Sequence, residues 1–249
     1  MTETPPLVVI SLPRAQERRA AISRRLDALG LNYEIFDGID GKTLNPEEYA
    51  PRLNKEYWRR LRGRDLTAGE IGCFMSHYAV WELMAERGWE CMIVLEDSCI
   101  IDPQFSETAQ KVLESEWAWD VVLLSARKQY AVDRTLCELG GGRRLVRFRR
   151  RVGTTRAYMI RASAARSLIE YCREIRAPID WLYAEWWENG LQFYAVIPAL
   201  TNRDDVPSLI GRPPRARRNF SEWLWARKTL CLSFIKRHRR LSVAPQRRT

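Results

Sequence analysis

An apolar run that ends in two carboxylates constrains the fold of this chain more than any other feature. Residues 92–95 read Met-Ile-Val-Leu and are followed directly by Glu96, Asp97 and Ser98. A continuous apolar run of this length is typical of a strand that is buried on both faces, as in a parallel sheet. In open α/β sheets ligands bind at the carboxyl ends of the strands, so we expect the two acids to face a site.

The same turn predicts which ligand the site would hold. Two adjacent carboxylates, Glu96 and Asp97, suit a hard divalent cation such as Mn²⁺ or Mg²⁺, and that cation in turn suits a phosphate-bearing ligand. Ser98 offers only a neutral hydroxyl, which lowers the expected metal affinity, and the nearby Asp102 is a substitute ligand. We therefore predict a metal site at Glu96, Asp97 and Ser98. The alternative is that these residues form a helix cap or a surface turn.

Strands and helices alternate along the first 200 residues. The apolar runs predict strands at residues 7–12, 33–36, 91–95, 121–124, 154–160 and 192–197. Helical spacing and end signals predict helices at residues 14–29, 46–60, 67–87, 104–115, 163–172 and 178–188. This alternation predicts an α/β fold with a mostly parallel sheet and helices on both faces. We expect residues 126–150, which hold three consecutive glycines and many arginines, to form a flexible loop or hairpin over the site.

The composition indicates a globular domain with an anionic partner. The chain has 249 residues, of which 46% are hydrophobic, so it can form one large α/β domain or two small ones. Its formal net charge of +10 implies nucleic acid, a phosphorylated ligand or an anionic lipid as partner. The six cysteines show neither a CxxC pair nor zinc-site spacing, the N-terminus lacks a signal peptide, and no apolar run is long enough to span a membrane. We therefore expect a reducing, cytoplasmic environment.

The character of the chain changes at about residue 212. From there basic residues surround an apolar stripe with helical spacing, formed by Phe220, Trp223, Leu224, Leu230, Cys231, Phe234 and Ile235. This pattern is typical of a basic amphipathic helix on an anionic membrane, and the alternative is a helix docked on the domain with a solvated basic face. We therefore divide the chain into a domain of residues 1–211 and a basic amphipathic segment of residues 212–249. No nucleic acid partner is expected, because the aromatic residues form one stripe and do not alternate with basic ones.

Six short motifs follow one another between residues 7 and 200. They are the strand Val9–Leu12 with Arg14, Arg18 and Arg19, the loop Phe36–Gly41, the block Leu66–His77, the strand end Leu95–Ser98, the strand Gly153–Ile160 and the turn Pro178–Asp180. In this order they resemble the motifs of glycosyltransferase family 25, which contains lipopolysaccharide and lipooligosaccharide glycosyltransferases and is related to collagen galactosyltransferases. Each motif alone is weak, but six in order identify the family.

The resemblance implies a GT-A-type, Rossmann-like domain that transfers a hexose from a nucleotide sugar with inversion at the anomeric carbon. The donor would be UDP-galactose or UDP-glucose, and the acceptor a growing lipopolysaccharide or lipooligosaccharide core or a similar glycan. Such an acceptor fits a protein held peripherally on the inner face of the cytoplasmic membrane. Because Ser98 replaces the family's second aspartate, the alternative is a catalytically impaired domain that acts as a membrane-associated binding or scaffold protein.

The resemblance also implies which residues would carry the reaction. Asp180 is the candidate general base, with Glu185 and Glu188 as weaker candidates, while Glu96 and Asp97 handle the metal and the diphosphate. The implied donor-binding set is Leu12, Arg14, Arg18, Asp37, Glu70, Ser76 and His77.

Several of these residues also have a purely structural interpretation. Asp180 would then cap its own helix, Glu70 would serve only a capping box with Thr67, and His77 would be a hydrogen-bonded core residue. The basic run of residues 143–151 is a candidate site for an anionic acceptor, and the alternative is a solvated loop.

Overall fold

A mixed β-sheet lies at the centre of the computed structural model, which describes residues 5–125, 131–204, 217 and 219–248. The strands are β1 (Leu7–Ser11), β2 (Glu34–Asp37), β3 (Cys91–Glu96), β4 (Cys99–Ile101), β5 (Val121–Leu123), β6 (Val132–Gly140), β7 (Arg143–Phe148), β8 (Ala157–Arg161), β9 (Phe193–Ile197) and β10 (Thr201–Arg203). Within the described ranges, eight strands form one sheet in the order β2-β1-β3-β8-β5-β9-β7-β6, and β4 pairs with β10. In the large sheet β7 and β8 run opposite to the other six strands.

Strand β3 is buried on both faces, as its apolar run predicted. Met92 and Val94 pack into one hydrophobic cluster, while Ile93 and Leu95 pack into a second cluster on the opposite face. This alternation follows from the two-residue period of a strand. The carboxyl end of β3 therefore meets the site at a fixed point between two packed layers.

Helices cover both of these faces. They are α1 (Gln16–Ala28), α2 (Pro46–Tyr49), α3 (Lys55–Arg62), α4 (Ala68–Glu86), α5 (Phe105–Glu114), α6 (Ala162–Tyr171), α7 (Ile179–Leu182), α8 (Trp186–Asn189) and α9 (Phe220–Leu241). Residues of α1 and α5 pack in one cluster, and residues of α3, α4, α6, α7 and α8 pack in the other. The predicted α/β fold, with a mostly parallel sheet and helices on both faces, is confirmed.

Two predicted helices are broken into shorter pieces. Residues 46–60 form α2, a 3₁₀ turn (Ala50–Arg52) and the start of α3, while residues 178–188 form α7 and α8. Between α7 and α8, the buried Glu185 accepts a hydrogen bond from Tyr171 and forms an ion pair with Arg151. Helical periodicity does not reveal such side-chain interactions, so it overstates the length of the helix.

Residues 126–150 were predicted to form a loop or hairpin over the site; residues 132–148 do form a hairpin, but at the edge of the sheet, and residues 126–130 lie outside the described residues. Strands β6 and β7 pair with each other, and β7 pairs with β9. Gly140, Gly141 and Gly142 turn the chain with φ angles of +77°, +57° and +74°, which strongly favour glycine. Arg143 is buried in an ion pair with Asp102, so the arginines of residues 143–151 do not form one anion site.

Helix α9 packs on the domain through α3 and α8. Lys236 is paired with Glu188, and Arg240 donates to the carbonyl of Gly190. None of the helices in the described ranges is both long enough and apolar enough to cross a membrane. The predicted boundary between residues 211 and 212 lies outside the described residues, and the division into two segments remains a prediction.

Candidate functional site

A cleft of about 1060 Å³ opens at the carboxyl ends of β1 and β3. The predicted residues that line it are Leu12, Arg14, Arg18, Glu70, Ser76, His77, Glu96, Asp97, Ser98 and Asp180. Asp37, Asp102, Glu185 and Glu188 are not among the residues that line it. The fold therefore brings all but four of the predicted residues to one place.

The buried Asp97 carboxylate lies at the end of β3 beside β1. The Ser11 hydroxyl donates to Asp97 Oδ2 at 2.8 Å, and Arg18 Nη1 lies 3.5 Å from Oδ1. Burial raises the pKa of Asp97, although the Ser11 hydrogen bond and the Arg18 charge act in the opposite direction. Arg18 stands one turn inside α1 and brings a cation to the position where a diphosphate would meet the strand ends.

Glu96 is turned away from Asp97 and toward α4 and the segment before β8. The Thr155 hydroxyl donates to Glu96 Oε1 at 2.8 Å, and His77 Nε2 lies 3.6 Å from the same oxygen. Burial by itself raises the pKa of Glu96, but the neighbouring His77 and Thr155 outweigh it and leave the pKa lowered. Glu96 is therefore a carboxylate held in its ionised form beside the cleft.

A buried chain of hydrogen bonds orients His77. Trp81 Nε1 donates to the Tyr158 hydroxyl at 2.9 Å, and that hydroxyl lies 3.0 Å from His77 Nδ1. An indole N–H can only donate, so the Tyr158 hydroxyl accepts from Trp81. The contact of Tyr158 with Nδ1 orients the ring so that Nε2 faces Glu96. His77 is thus a hydrogen-bonded core histidine whose free edge reaches the cleft.

The predicted metal ligands Glu96, Asp97 and Ser98 all line the cleft at the end of β3, and each makes its own contacts. The two carboxylates have different partners, and the carbonyl of Ser98 accepts from the backbone of Asp204. Among the described residues, one group of at least three His, Cys, Asp or Glu ligand atoms lies within 4.8 Å of one another, and Asp97 is outside it. That group is Cys73, His77 and Glu96. Mn²⁺ or Mg²⁺ binding remains a prediction.

Asp102, the predicted substitute ligand, is used elsewhere. It is paired with Arg143 at 2.6 Å, and its carboxylate accepts from the backbone of Gln104 at 2.8 Å. These contacts anchor the start of α5 to the β6–β7 hairpin, and Asp102 does not line the cleft.

Asp180 is the second residue of α7 and faces the middle of the cleft. The cap position of α7 is Pro178, so Asp180 does not cap its own helix. Its carboxylate lies against the backbone of Gly153, where a Cβ atom would come within 3.1 Å of Oδ2. Burial raises the pKa of the Cys73 thiol, and the charges of Glu96 and Asp180 raise it further. The Cys73 sulfur and a Glu96 carboxylate oxygen lie within 4.8 Å of each other, and Asp180 lines the same cleft.

The two weaker candidates for the general base have structural roles. Glu185 is buried, paired with Arg151 at 2.6 Å and hydrogen-bonded by Tyr171. Burial raises its pKa, and the Arg151 charge opposes that shift. Glu188 pairs with Lys236 of α9 at 2.7 Å.

Two of the predicted donor-binding acids are paired with arginines at the edges of the site. Asp37 binds Arg19, which also donates to the carbonyl of Ser11, and its own side chain is exposed. Glu70 forms two hydrogen bonds with Arg64, of 2.7 and 2.6 Å, and completes the capping box of α4. Although burial raises the pKa of Glu70, these bonds leave it lowered.

Two of the family motifs meet in a single backbone contact. A Cβ atom at Gly72 would lie 2.4 Å from the nitrogen of Gly41, so only glycine allows the loop of residues 36–41 to approach α4 this closely. Ser76 secures the contact, because its hydroxyl accepts from the Ile39 N–H at 2.8 Å and donates to the Gly72 carbonyl. The predicted role of Ser76 in donor binding remains a prediction, while its structural role is clear.

One wall of the cleft was predicted only in part. It consists of Trp58, Arg62 and Arg64 near the end of α3, Arg151 and Trp181. Of these, only Arg151 lies in the basic run of residues 143–151 that was a candidate anion site. These residues come from three segments that are far apart in the chain and share no spacing. Only their high content of arginine and tryptophan gave a signal, and charge and aromatic content alone do not locate a site.

Comparisons with known proteins agree with this geometry. The sequence profile of glycosyltransferase family 25, described as an LPS biosynthesis protein, matches residues 4–183. Procollagen galactosyltransferase 1-A of Xenopus laevis is 34% identical over 145 residues, which are 55% of this chain and 24% of that protein. The probable inactive glycosyltransferase 25 family member 3 of Rattus norvegicus is 27% identical over 215 residues, or 78% of this chain and 37% of that protein.

The alignments cover only part of each known protein. This chain spans well under half the length of both relatives. A mannose-1-phosphate geranyltransferase from Thermus thermophilus aligns over 82% of this chain and 76% of its own, with a TM-score of 0.39 and 15% identity. The family profile itself covers most of the chain, including the motifs that bring Arg18, Asp97 and Asp180 to the cleft. The chain therefore belongs to glycosyltransferase family 25.

Proposed function

We propose that this chain is an inverting glycosyltransferase that moves a hexose from a nucleotide sugar to a hydroxyl group of a glycan. The observation that carries the proposal is one cleft in which Arg18 and Asp97 are joined by the carboxylates of Glu96 and Asp180. A cation at one end suits a diphosphate, and carboxylates in the middle suit the sugar and the incoming hydroxyl. Family membership supports the same reaction class.

In the proposed reaction the acceptor oxygen attacks the anomeric carbon while the bond from that carbon to the diphosphate breaks. Asp180 accepts the proton of the acceptor hydroxyl. The negative charge that develops on the leaving diphosphate is stabilised by Arg18, with Arg14 at the rim of the cleft. Glu96, held ionised by His77 and Thr155, stabilises positive charge that develops at the anomeric carbon.

The finer details of substrate are part of the proposal. The description of the family profile supports a lipopolysaccharide or lipooligosaccharide core as acceptor. The relative that is a procollagen galactosyltransferase supports UDP-galactose as donor ahead of UDP-glucose. A bound Mn²⁺ or Mg²⁺ would neutralise charge on the nucleotide, and Asp97 is the carboxylate nearest to the proposed diphosphate position.

A donor panel tests the enzyme and the metal together. We expect the full chain to release UDP from one UDP-hexose in the presence of a deacylated lipooligosaccharide, and chelator to reduce the rate if a metal is needed. The absence of any nucleotide-sugar binding would instead support the impaired scaffold, which the inactive relative makes a specific alternative. A gain of turnover in Ser98→Asp would show that Ser98 limits the wild-type enzyme, and no gain would show that arginines suffice.

Helix α9 is the proposed contact with an anionic membrane. It docks on the domain through the buried Ala226 and through Trp225, whose ring centroid lies 5.6 Å from that of Tyr57 in α3. Its apolar stripe points to solvent: Phe220 is 74% exposed and Phe234 52% exposed. A helix that exposes its apolar face between basic residues matches a negatively charged lipid surface.

Vesicle flotation tests this contact. We expect the protein to float with vesicles of phosphatidylcholine and phosphatidylglycerol, and to remain at the bottom with phosphatidylcholine alone or after Leu224→Glu with Ile235→Glu. Control substitutions, Arg166→Glu with Arg173→Glu, place the same charges elsewhere on the surface. A dimer in solution that the first pair of substitutions dissolves, or retention of DNA in place of lipid, would contradict the membrane proposal. Binding would support a peripheral location on the inner face of the cytoplasmic membrane.

A further inference from the structure

The wall opposite the proposed donor end contains two tryptophans that contact each other edge to face. Trp58 and Trp181 both line the cleft, and their ring centroids are 5.3 Å apart in an edge-to-face arrangement. Trp58 is only 3% exposed. In the part of the chain that the structure describes, neither indole N–H has a hydrogen-bond partner. Both indole nitrogens are themselves buried, so these two residues meet the cleft with ring carbons.

Arginine side chains cover the same two rings. The Arg151 guanidinium lies 3.5 Å from the centroid of Trp181, and that of Arg62 lies 4.9 Å from it. Arg151 is held there by its ion pair with Glu185, so it is a fixed part of the wall. Planar aromatic and guanidinium faces of this kind pack well against a sugar ring and its hydroxyl groups.

Two further arginines line the cleft near this wall, and Arg237 lies 5.7 Å from the ring of Trp187, which Arg151 also covers at 4.9 Å. Arg150 follows the β6–β7 hairpin, Arg237 belongs to α9, and both line the cleft. Neither takes part in an ion pair formed by the described residues. Burial lowers the pKa of Arg237, and the charge of Arg150 lowers it further, so the two cations repel each other. An anion placed between them would relieve that repulsion.

We propose that Arg150 and Arg237, together with the Trp58–Trp181 wall, form an acceptor subsite for a glycan that carries a phosphate or carboxylate group near the accepting hydroxyl. Asp180 precedes Trp181 directly, so a sugar against this wall would present its hydroxyl to the proposed base. Arg237 also belongs to α9, the proposed membrane helix, where it lies beside Phe234 of the apolar stripe. The subsite rests on the proposed glycosyl transfer, because it assigns the acceptor to this end of the cleft.

Binding measured with the donor end filled tests the subsite. The full chain, saturated with UDP, is titrated with glucose 6-phosphate, glucuronate and methyl glucoside while tryptophan fluorescence is recorded. We expect one or both anionic sugars to bind at least tenfold more tightly than methyl glucoside, since charge-assisted contacts are worth about one order of magnitude or more. The two anionic probes distinguish a phosphate site from a carboxylate site.

Matched variants identify the residues. Arg150→Ala with Arg237→Ala should weaken binding of the anionic sugar about tenfold or more, while UDP affinity stays unchanged. Exposed Arg150 can also be replaced alone, which guards against any loosening of α9, and a loss of at least threefold is expected. The control pair Arg144→Ala with Arg239→Ala removes two exposed arginines from the same elements outside the cleft.

Failure of the subsite and failure of the enzyme have different signatures. Equal binding of charged and uncharged sugars, or full binding by the Arg150→Ala variant, would overturn the subsite even if UDP binds normally. If the wild-type chain binds no UDP at all, the proposed glycosyl transfer itself is overturned, and the subsite with it.

Discussion

The two ends of the cleft are built in opposite ways. The end at β1 and β3 is made of polar residues that follow strands, such as Ser11 and Asp97, and each lies inside a motif of the sequence. The opposite wall is made of aromatic and arginine residues from α3, the segment after β7 and the start of α7. Sequence motifs therefore mark the place where the ends of neighbouring strands converge. The opposite wall is assembled from side chains of separate segments that share no sequence pattern.

The charges at the two ends also differ in how they are balanced. At the first end, Arg18 lies beside Asp97 and His77 beside Glu96. At the wall, Arg151 is balanced by Glu185 from behind, and burial lowers the pKa of Arg151 to about 10. At both ends an arginine is therefore paired with a carboxylate, and Asp180 adds a further carboxylate to the cleft.

Replacing the residue between the two ends should have the largest effect. We expect Asp180→Asn to lower kcat by roughly 10²–10⁴-fold, because loss of a general base removes a contribution of that size. UDP affinity should be unchanged, since Asp180 is on the acceptor side. Initial rates and a UDP titration measure both quantities, with Glu188→Gln as a control that keeps full activity. A rate within threefold of wild type would move the base to Glu96.

Removing the cation of the donor end should have the second largest effect. We expect Arg18→Ala to weaken UDP binding about 10–100-fold, as a charge-assisted contact to phosphate is worth about 1.5–3 kcal/mol. Calorimetric titration with UDP measures this loss, and the exposed Arg24→Ala in the same helix is the control. If Arg150→Ala weakens UDP binding by as much as Arg18→Ala does, the two ends are not distinct and the comparison fails.

The contact that ties the wall to α4 should matter for stability more than for chemistry. Glu70→Gln loses the ion pair with Arg64 and weakens the capping box, at a cost of about 1–2 kcal/mol of unfolding free energy. The pKa of Glu70 is lowered from its ordinary value of 4.5. Its contribution is therefore present above pH 4.5 and is lost as the pH falls through the lower folded-state value. Urea unfolding at pH 7 and pH 3 should show a difference between wild type and variant only at the higher pH.

The smallest expected effect comes from the backbone behind the base. Gly153→Ala places a methyl group 3.1 Å from Asp180 Oδ2, so the carboxylate must shift by a few tenths of an ångström. We expect kcat to fall severalfold with little change in unfolding free energy, because positioning errors act on the rate. Parallel rate and thermal unfolding measurements decide this. An unchanged rate would show that Asp180 tolerates displacement, which a base in direct contact with substrate does not.

Much of this site was legible in the sequence. The apolar run before Glu96 predicted a strand buried on both faces, because the backbone of a strand repeats with a fixed period. The order of the motifs predicted the family, and two of the motifs contain glycines that mark a close approach of two backbones. Gly41 and Gly72 belong to separate motifs, yet their meaning as one contact became clear only from the packing of the loop on α4.

Side-chain direction was beyond the reach of the sequence. The sequence placed Glu96 and Asp97 at the same strand end, but it did not show that Glu96 accepts from Thr155 while Asp97 accepts from Ser11. Residues 126–150 were expected to form a loop or hairpin over the site. Strand β7 instead pairs with β9, so the hairpin of residues 132–148 extends the sheet.

Local periodicity thus determined the elements of this protein, the burial of its central strand and the residues that gather at the strand ends. The tertiary structure alone decided which of those residues face one another, that Trp58, Arg151 and Trp181 form a wall, and that α9 turns its apolar stripe outward. The physical reason is range. Periodicity and backbone conformation are properties of a few consecutive residues, whereas a cleft and a docked helix depend on contacts between residues that are more than a hundred positions apart.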